Sequence, residues 1–216
     1  MKCIIYLLIF FISTILYCQD SYIFDQVLEY EIQKPSESVR KDVETRYYFI
    51  NTQDNSYVAI AILREGGTYS LVFRDDKKDK IAELTVPGEA IFNANDLRIN
   101  KKAFKGNKYR NPVYISDYDL TITPHDSLQS IYNYSYNKSE SSNRYLTKNH
   151  VMVVDQSVDR SMIGVGFGDY YSLLPWKDKF PKGLIRESLT ERLDGSVVSY
   201  CSLMNVVNRN KTFVIE

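Results

Sequence analysis

Few side chains in this sequence stand at the spacings that catalysis or metal binding requires. The two histidines, His125 and His150, lie 25 residues apart with no cysteine or carboxylate at ligand spacing, so no zinc site is predicted and either could be a surface residue. Cys201 follows Tyr200 in an apolar stretch, whereas a reactive thiolate needs an electropositive, accessible setting. We expect Cys201 to be a buried, inert thiol.

Three local patterns resemble catalytic motifs in form alone. Ser38 and Lys41 match Ser-x-x-Lys, but they fall in a polar loop without the other motifs of that enzyme class. The glycines of 164–168 are not followed by a helix, so they favour a turn over a phosphate-binding loop. Glu187 and Glu191 fit solvent-facing positions of a strand. We therefore expect no catalytic, cofactor-binding or metal-binding residue, and no enzymatic activity.

The overall charge excludes a nucleic-acid-binding class. The 216 residues contain 27 basic and 27 acidic side chains, and nucleic-acid or membrane-surface proteins need a clear positive excess or patch. Two of the three cysteines, Cys3 and Cys18, lie in the first eighteen residues, so Cys201 would be alone in a cleaved chain. Stability must then come from a packed core rather than from disulfides.

The first eighteen residues predict an exported protein. Lys2 precedes an uncharged apolar run that ends at Cys18, the pattern of a secretory signal peptide, and the run is too short for a comfortable membrane span. We expect cleavage after Cys18, which leaves 19–216 as one domain without a membrane span. The alternatives are a lipoprotein that is acylated at Cys18, which the bulky Tyr17 disfavours, and an uncleaved anchor. The location we expect is periplasmic or extracellular.

The rest of the chain reads as a succession of strands. Apolar and polar residues alternate between turn signals, as half-exposed antiparallel strands require, and no long amphipathic helix interrupts them. Segment 90–99 is ambiguous, and 172–179 could be one helical turn or a loop. The predicted strands are 23–32, 44–50, 57–63, 69–73, 81–86, 114–123, 128–136, 145–154, 184–193, 197–207 and 212–215.

This pattern predicts a mainly β fold. We expect one curved antiparallel sheet, a half-barrel with one or two short helices, and a β-sandwich is the alternative. Asp194 and Gly195 should form a two-residue hairpin turn, because Asp-Gly supplies the positive backbone angles of tight turns. A further turn is predicted at 209–211, before the last strand.

The C-terminal layout carries a family likeness. Phe180-Pro-Lys-Gly-Leu-Ile185 leads into a strand, the Asp194-Gly195 turn, a second strand and Phe213-Val-Ile215. This resembles small exported proteins named for a GLPGLI motif and the LolA-type lipoprotein carriers, and 24–30 resembles their first strand. Lys182 departs from the motif. The resemblance implies a half-barrel around an apolar cavity and no catalytic residues.

Two functions follow as hypotheses. In the first, an exported, non-enzymatic envelope protein binds a lipid or other apolar ligand in the half-barrel, although the same apolar face would be plain core in a closed sandwich. In the second, the chain is an interaction module that binds another envelope protein through a sheet edge or a face rich in its 18 tyrosines.

Overall fold

The computed structural model describes residues 20–34, 42–54, 56–75, 77–78, 80–106, 118–136, 147–158 and 182–216. Within these residues, twelve strands form one open, curved sheet, which confirms the predicted fold class. All neighbouring strands are antiparallel except β6, which pairs parallel with the end of β12. The strands are β1 (Ser21–Lys34), β2 (Asp42–Ile50), β3 (Tyr57–Leu63), β4 (Thr68–Asp75), β5 (Lys80–Pro87), β6 (Asp96–Ile99), β7 (Phe104–Gly106), β8 (Tyr118–Pro124), β9 (Gln129–Tyr136), β10 (Thr147–Asp155), β11 (Leu184–Arg192) and β12 (Val197–Ile215).

The sheet runs in the order β7-β5-β4-β3-β2-β1-β12-β11-β10-β9-β8. Helix is confined, in the residues described, to α1 (Gly88–Phe92) and to single 3₁₀ turns at Glu65–Gly67 and Lys101–Ala103. None of these helices is long and apolar enough to cross a membrane. The predicted signal peptide at 1–18 and the helical turn considered at 172–179 lie outside the described residues.

Buried side chains form two hydrophobic clusters, one on each face of this sheet. The first cluster, which defines the inner face, joins β1–β3 to β8–β12. Because the sheet is curved, side chains from both of these groups of strands can pack into the same cluster. The second cluster joins the opposite face of β1–β5 to α1, β6 and the end of β12. Within β3, alternation sends Val58, Ile60 and Ile62 to the first cluster and Ala59 and Ala61 to the second, which is why β3 is buried on both faces.

β1 and β12 belong to both clusters. Leu28, Tyr30 and Ile32 of β1 lie in the first cluster, whereas Tyr22 and Phe24 lie in the second. The register between the two strands shifts twice, at Phe24/Gln26 and at Glu29/Tyr30, and each time β12 carries one extra residue. Such bulges bend a strand pair and raise its twist. They allow one long ribbon to serve two differently oriented cores.

The ambiguous segment and the predicted turn near the C-terminus are both resolved. Segment 90–99 divides into the end of α1 and the strand β6. The prediction of a turn at 209–211 is wrong, because β12 continues through these residues to Ile215. One of the two bulges falls between Asn208 and Lys211, and its polar residues imitate a turn signal in the sequence.

The β11–β12 hairpin is confirmed, but its loop is longer than predicted. The N–H of Arg192 donates to the carbonyl of Ser196 at 2.9 Å, which leaves Leu193, Asp194 and Gly195 as a three-residue loop. Gly195 has φ 81°, as expected. A three-residue loop with glycine in the left-handed region is the next most common hairpin connection after the two-residue turn.

Candidate functional site

The inner face is the main candidate surface. Its centre is packed with aromatic rings: Tyr30 and Tyr48 meet edge to face with centroids 5.4 Å apart, and the hydroxyl of Tyr30 donates to the carbonyl of Ile185 at 2.7 Å. Burial raises the pKa of Tyr30 well above its ordinary value, so its hydroxyl stays protonated. The buried residues of this face are Leu28, Tyr30, Ile32, Tyr48, Val58, Ile60, Ile62, Tyr118, Tyr132, Tyr134, Met152, Val154, Leu184, Ile185 and Cys201.

The inner face reaches the surface at β8. In the register with β9, Leu120 lies opposite Tyr134 and Ile122 opposite Tyr132. Both tyrosines are buried, but Leu120 is 39% exposed and Ile122 is 52% exposed. An apolar margin therefore extends from the core to solvent along one strand, and it is a candidate binding surface because it continues the apolar inner face.

A polar network borders this margin. Ser130 donates its hydroxyl to the amide oxygen of Gln156 at 3.1 Å, and the amide nitrogen of Gln156 donates to the hydroxyl of Tyr132 at 3.2 Å. Asp155 is nearly buried and accepts hydrogen bonds from Ser157 and from Arg186 at 2.6 Å. These bonds lower the pKa of Asp155, with Ser157 as the larger cause. The carboxylate is therefore ionised at neutral pH, and the guanidinium of Arg186 compensates its charge.

The predicted chemistry-bearing residues are not brought together. His150 is fully buried and shares a 2.7 Å hydrogen bond between its Nδ1 and Thr190, and burial lowers its pKa to about 3. His125 is exposed in the β8–β9 turn. His150 is thus a neutral core residue, and in the described part of the chain no group of three His, Cys, Asp or Glu residues could hold a metal.

Cys201 is a buried free thiol, as expected. Burial raises its pKa to about 12, which keeps it protonated and unreactive at neutral pH. Glu191 accepts a hydrogen bond from Asn149 at 2.9 Å, and Glu187 is exposed on the same strand. Ser38, Lys41 and the glycines of 164–168 lie outside the described residues.

Sequence reasoning missed a second candidate surface on β12. Here β12 residues 203–211 pair with β1 along one edge. On the opposite edge, β11 pairs only as far as Ser202 and β6 begins only at Thr212, and no other described strand lies between them. We call this edge the β12 slot. The predicted turn at 209–211 hid it, because a turn there would have divided the strand.

The slot exposes an apolar stretch. Met204 is 60% exposed, Val207 42% and Val206 38%. The N–H of Val206 donates to the side chain of Asn205 at 2.9 Å, a local bond of the kind with which asparagine competes for backbone groups. Segment 203–211 carries two basic residues, Arg209 and Lys211, and no carboxylate.

Comparison with known proteins yields structural likeness alone. No protein-family model matches the sequence, and no curated protein matches it. Among solved structures, the chain is similar to MucB, with 10% identity, a TM-score of 0.43, and coverage of 86% of this chain and 53% of that one. It is equally similar to the MucA/MucB complex of Pseudomonas aeruginosa, with 10% identity, a TM-score of 0.43, and coverage of 87% and 51%. The chain thus spans about half the length of these structures.

A LolA superfamily protein is also among the matched structures. The protein of Nitrosomonas europaea has 8% identity and a TM-score of 0.31, with coverage of 89% of this chain and 88% of that one. The resemblance to LolA-type proteins drawn from the sequence is confirmed as a loose structural likeness. At these identities and TM-scores it assigns no ligand or partner, so the function is argued from the surfaces themselves.

Proposed function

We propose that this protein is a non-enzymatic, exported binding protein whose inner face takes up a lipid or other apolar ligand at the β8 margin. The observation that carries the proposal is the apolar, tyrosine-rich inner face, which reaches solvent at Leu120 and Ile122. Covering two such side chains would contribute roughly 1 kcal/mol or more each, since apolar burial yields about 25 cal/mol per Å². The hydroxyl of Tyr132 and the amide of Gln156 offer partners for a polar head group.

Fluorescent fatty-acid uptake tests this proposal. We expect protein that begins at Gln19 to take up an anthroyloxy-labelled stearate. The double variant Leu120→Gln and Ile122→Gln should bind it at least about tenfold more weakly, because about 1.4 kcal/mol corresponds to tenfold. Leu63→Gln is the matched control, since Leu63 is similarly exposed but, by its alternation with Ile62 in β3, does not lie on the inner face. No uptake by the parent protein, together with no bound lipid in native mass spectrometry, would refute the proposal.

Export is part of the same proposal and rests on the pattern of residues 1–18. Intact-mass measurement of protein recovered from the envelope distinguishes the three alternatives for residues 1–18: a cleaved signal peptide, a lipoprotein and an uncleaved anchor. A chain that begins at Gln19 supports simple cleavage, whereas a diacylglyceryl mass on Cys18 would show a lipoprotein. A full-length mass in the membrane fraction would show an uncleaved anchor.

A second candidate function is supported by the β12 slot. An open strand edge with exposed apolar side chains suits an interaction module that adds a strand from another envelope protein. Site-specific cross-linking in intact cells, from a photoreactive residue at Val207, tests whether any protein lies against this edge. A capture no greater than that from the same residue placed at Leu63 would count against it.

A further inference from the structure

The shape of the β12 slot limits what can occupy it. β1 pairs with one edge of β12 from Tyr200 to Val214, so β11 and β6 both lie on the other edge, with residues 203–211 between them. At about 3.3 Å per residue this gap is at most about 30 Å long, and among the described residues it is one strand wide because β11 and β6 occupy the neighbouring row. The slot therefore admits a single extended segment.

A second copy of this chain cannot occupy the slot by pairing its own β12 edge with this one. If two β12 edges paired about a two-fold axis, residue 212 of one copy would lie beside residue 202 of the other, the place that β11 already holds. The β11 and β6 strands of the two copies would collide. An isolated segment that ends or turns away at both sides of the slot meets no such obstacle from the described strands.

The bulges set the length of a continuous ladder. Met204 is the extra residue at one shift, and the other extra residue lies between Asn208 and Lys211. Asn205–Asn208 keep a regular register with β1 between them. Because bulges interrupt strand pairing, a bound segment would contact this regular stretch and about one or two residues on each side, which amounts to about six to eight residues.

The side chains around the slot define the chemistry of the segment. Met204, Val206 and Val207 offer exposed apolar surface above and below the ladder. Arg209 makes no ion pair or side-chain hydrogen bond with the described residues, whereas Lys211 is buried and donates to the carbonyls of Ala90 and Ala94. Arg209 is thus the charge available to a ligand, and a carboxylate is its natural partner.

We propose that the β12 slot binds an extended segment of a partner protein, about six to eight residues long, as an added strand between β11 and β6. The segment has apolar side chains at alternate positions and a carboxylate that reaches Arg209. This inference rests on the second function proposed above and is independent of ligand binding at the inner face. Main-chain hydrogen bonds supply the affinity, and Arg209 supplies the charge preference.

Designed peptides test the proposal. The probe is a fluorescein-labelled octapeptide of alternating valine and threonine with aspartate at two of the threonine positions, and the matched probe carries lysine there. Fluorescence anisotropy should show the acidic peptide binding the parent protein at least tenfold more tightly than the basic one. Arg209→Glu should reverse this preference, whereas Arg64→Glu, the same charge change on an exposed loop residue, should leave it unchanged. A proline at the centre of the acidic peptide should abolish binding, because it removes a ladder donor.

The position of the bound peptide decides between occupants. A photoreactive residue at Val207 should cross-link to the acidic peptide, and excess unlabelled peptide should compete. A cross-link to another segment of the same chain, or to a second copy, would overturn the proposal, as would equal binding of acidic and basic peptides. Arg209→Glu should not change fatty-acid uptake. A partner captured in cells from Ile122 but not from Val207 would refute the slot while leaving an interaction function in place.

Discussion

At the scale of single residues, Lys211 shows how the fold uses a charge. Its side chain enters the second cluster and donates hydrogen bonds to the carbonyls of Ala90 and Ala94, at the end of α1. A cation there complements the partial negative charge of the helix C-terminus. Burial, and then the charge of Arg209, lowers the pKa of Lys211 to about 8.

This lowered pKa predicts a pH-dependent stability. Between about pH 8 and the ordinary lysine value the unfolded chain binds more protons than the folded one, so the lysine's contribution to the free energy of unfolding rises with pH. Lys211→Met removes that contribution. We would measure denaturant unfolding at pH 7 and pH 9.5. The free energy of unfolding of the parent, relative to that of the variant, should rise by up to about 1.4 kcal/mol per pH unit above pH 8. A difference that stays constant with pH would contradict the assignment.

Cys201 has a structural role in the first cluster. We expect Cys201→Ser to lower the free energy of unfolding by about 1 kcal/mol or somewhat more, because a hydroxyl replaces a small apolar group in the core. Fatty-acid uptake should stay intact. A thiol reagent such as 5,5′-dithiobis(2-nitrobenzoate) should label the parent protein only as fast as it unfolds. Rapid labelling of the native protein would show that the thiol is accessible after all.

At the scale of elements, Gly183 fixes the entry of the chain into β11. Its φ of 140° lies in a region that other residues rarely adopt, and an added Cβ would stand 2.5 Å from Cγ1 of Val154 and 2.6 Å from the carbonyl oxygen of Asp155. The close approach lets β11 pair with β10 directly after the corner. Glycine is therefore required here for space as well as for backbone freedom.

Gly183→Ala should destabilise the protein by at least about 2 kcal/mol, since backbone strain and overpacking each contribute about 1–3 kcal/mol. Gly66→Ala is the matched control: Gly66 has φ 72°, but an added Cβ there would meet nothing within 4 Å, so strain alone remains. Gly66→Ala should therefore lower the free energy of unfolding by about 1 kcal/mol. Equal midpoints for the two variants in thermal unfolding would show that the contact with Val154 relaxes without penalty.

The elements also show what the sequence could predict. β3 matches its prediction residue for residue, because its apolar run is bounded by the polar residues 51–56 and by the Gly66-Gly67 turn. The β11–β12 hairpin was predicted from Asp194-Gly195, but its Leu189 and Val197 do not form an apolar inner face, since Leu189 is half-buried and Val197 is exposed. Ile185 and Cys201 take that role, because a bulge next to Ile185 changes the register. Bulges depend on tertiary pairing and leave no reliable local signal.

At the scale of the whole molecule, β1 and β12 join two cores into one unit. Each strand contributes side chains to both clusters, so neither core can open without disturbing the ribbon that the other needs. The sequence predicted one curved sheet, but it could not show that the sheet buries both of its faces. It also could not reveal the β12 slot, which depends on where β11 ends and β6 begins.

This arrangement predicts a single unfolding transition. Met152→Ala removes contacts from the first cluster and Leu71→Ala from the second, and each should lose about 2–5 kcal/mol. Hydrogen exchange should show that either variant lowers protection in β4 and β10 alike, because the most protected amides exchange through global unfolding. Protection lost only around the altered cluster would mean that the two cores open separately.

The pairing of β1 with β12 also determines when the sheet can be completed during synthesis. The first described strand finds its partner up to 193 residues later, where Ser21 lies opposite Val214. During synthesis, an N-terminal portion of the chain therefore lacks the strand that completes its sheet. Contacts of such long range close slowly. A nascent chain that completes its sheet late stays unfolded for longer, which would suit the export proposed above if the chain crosses the membrane unfolded.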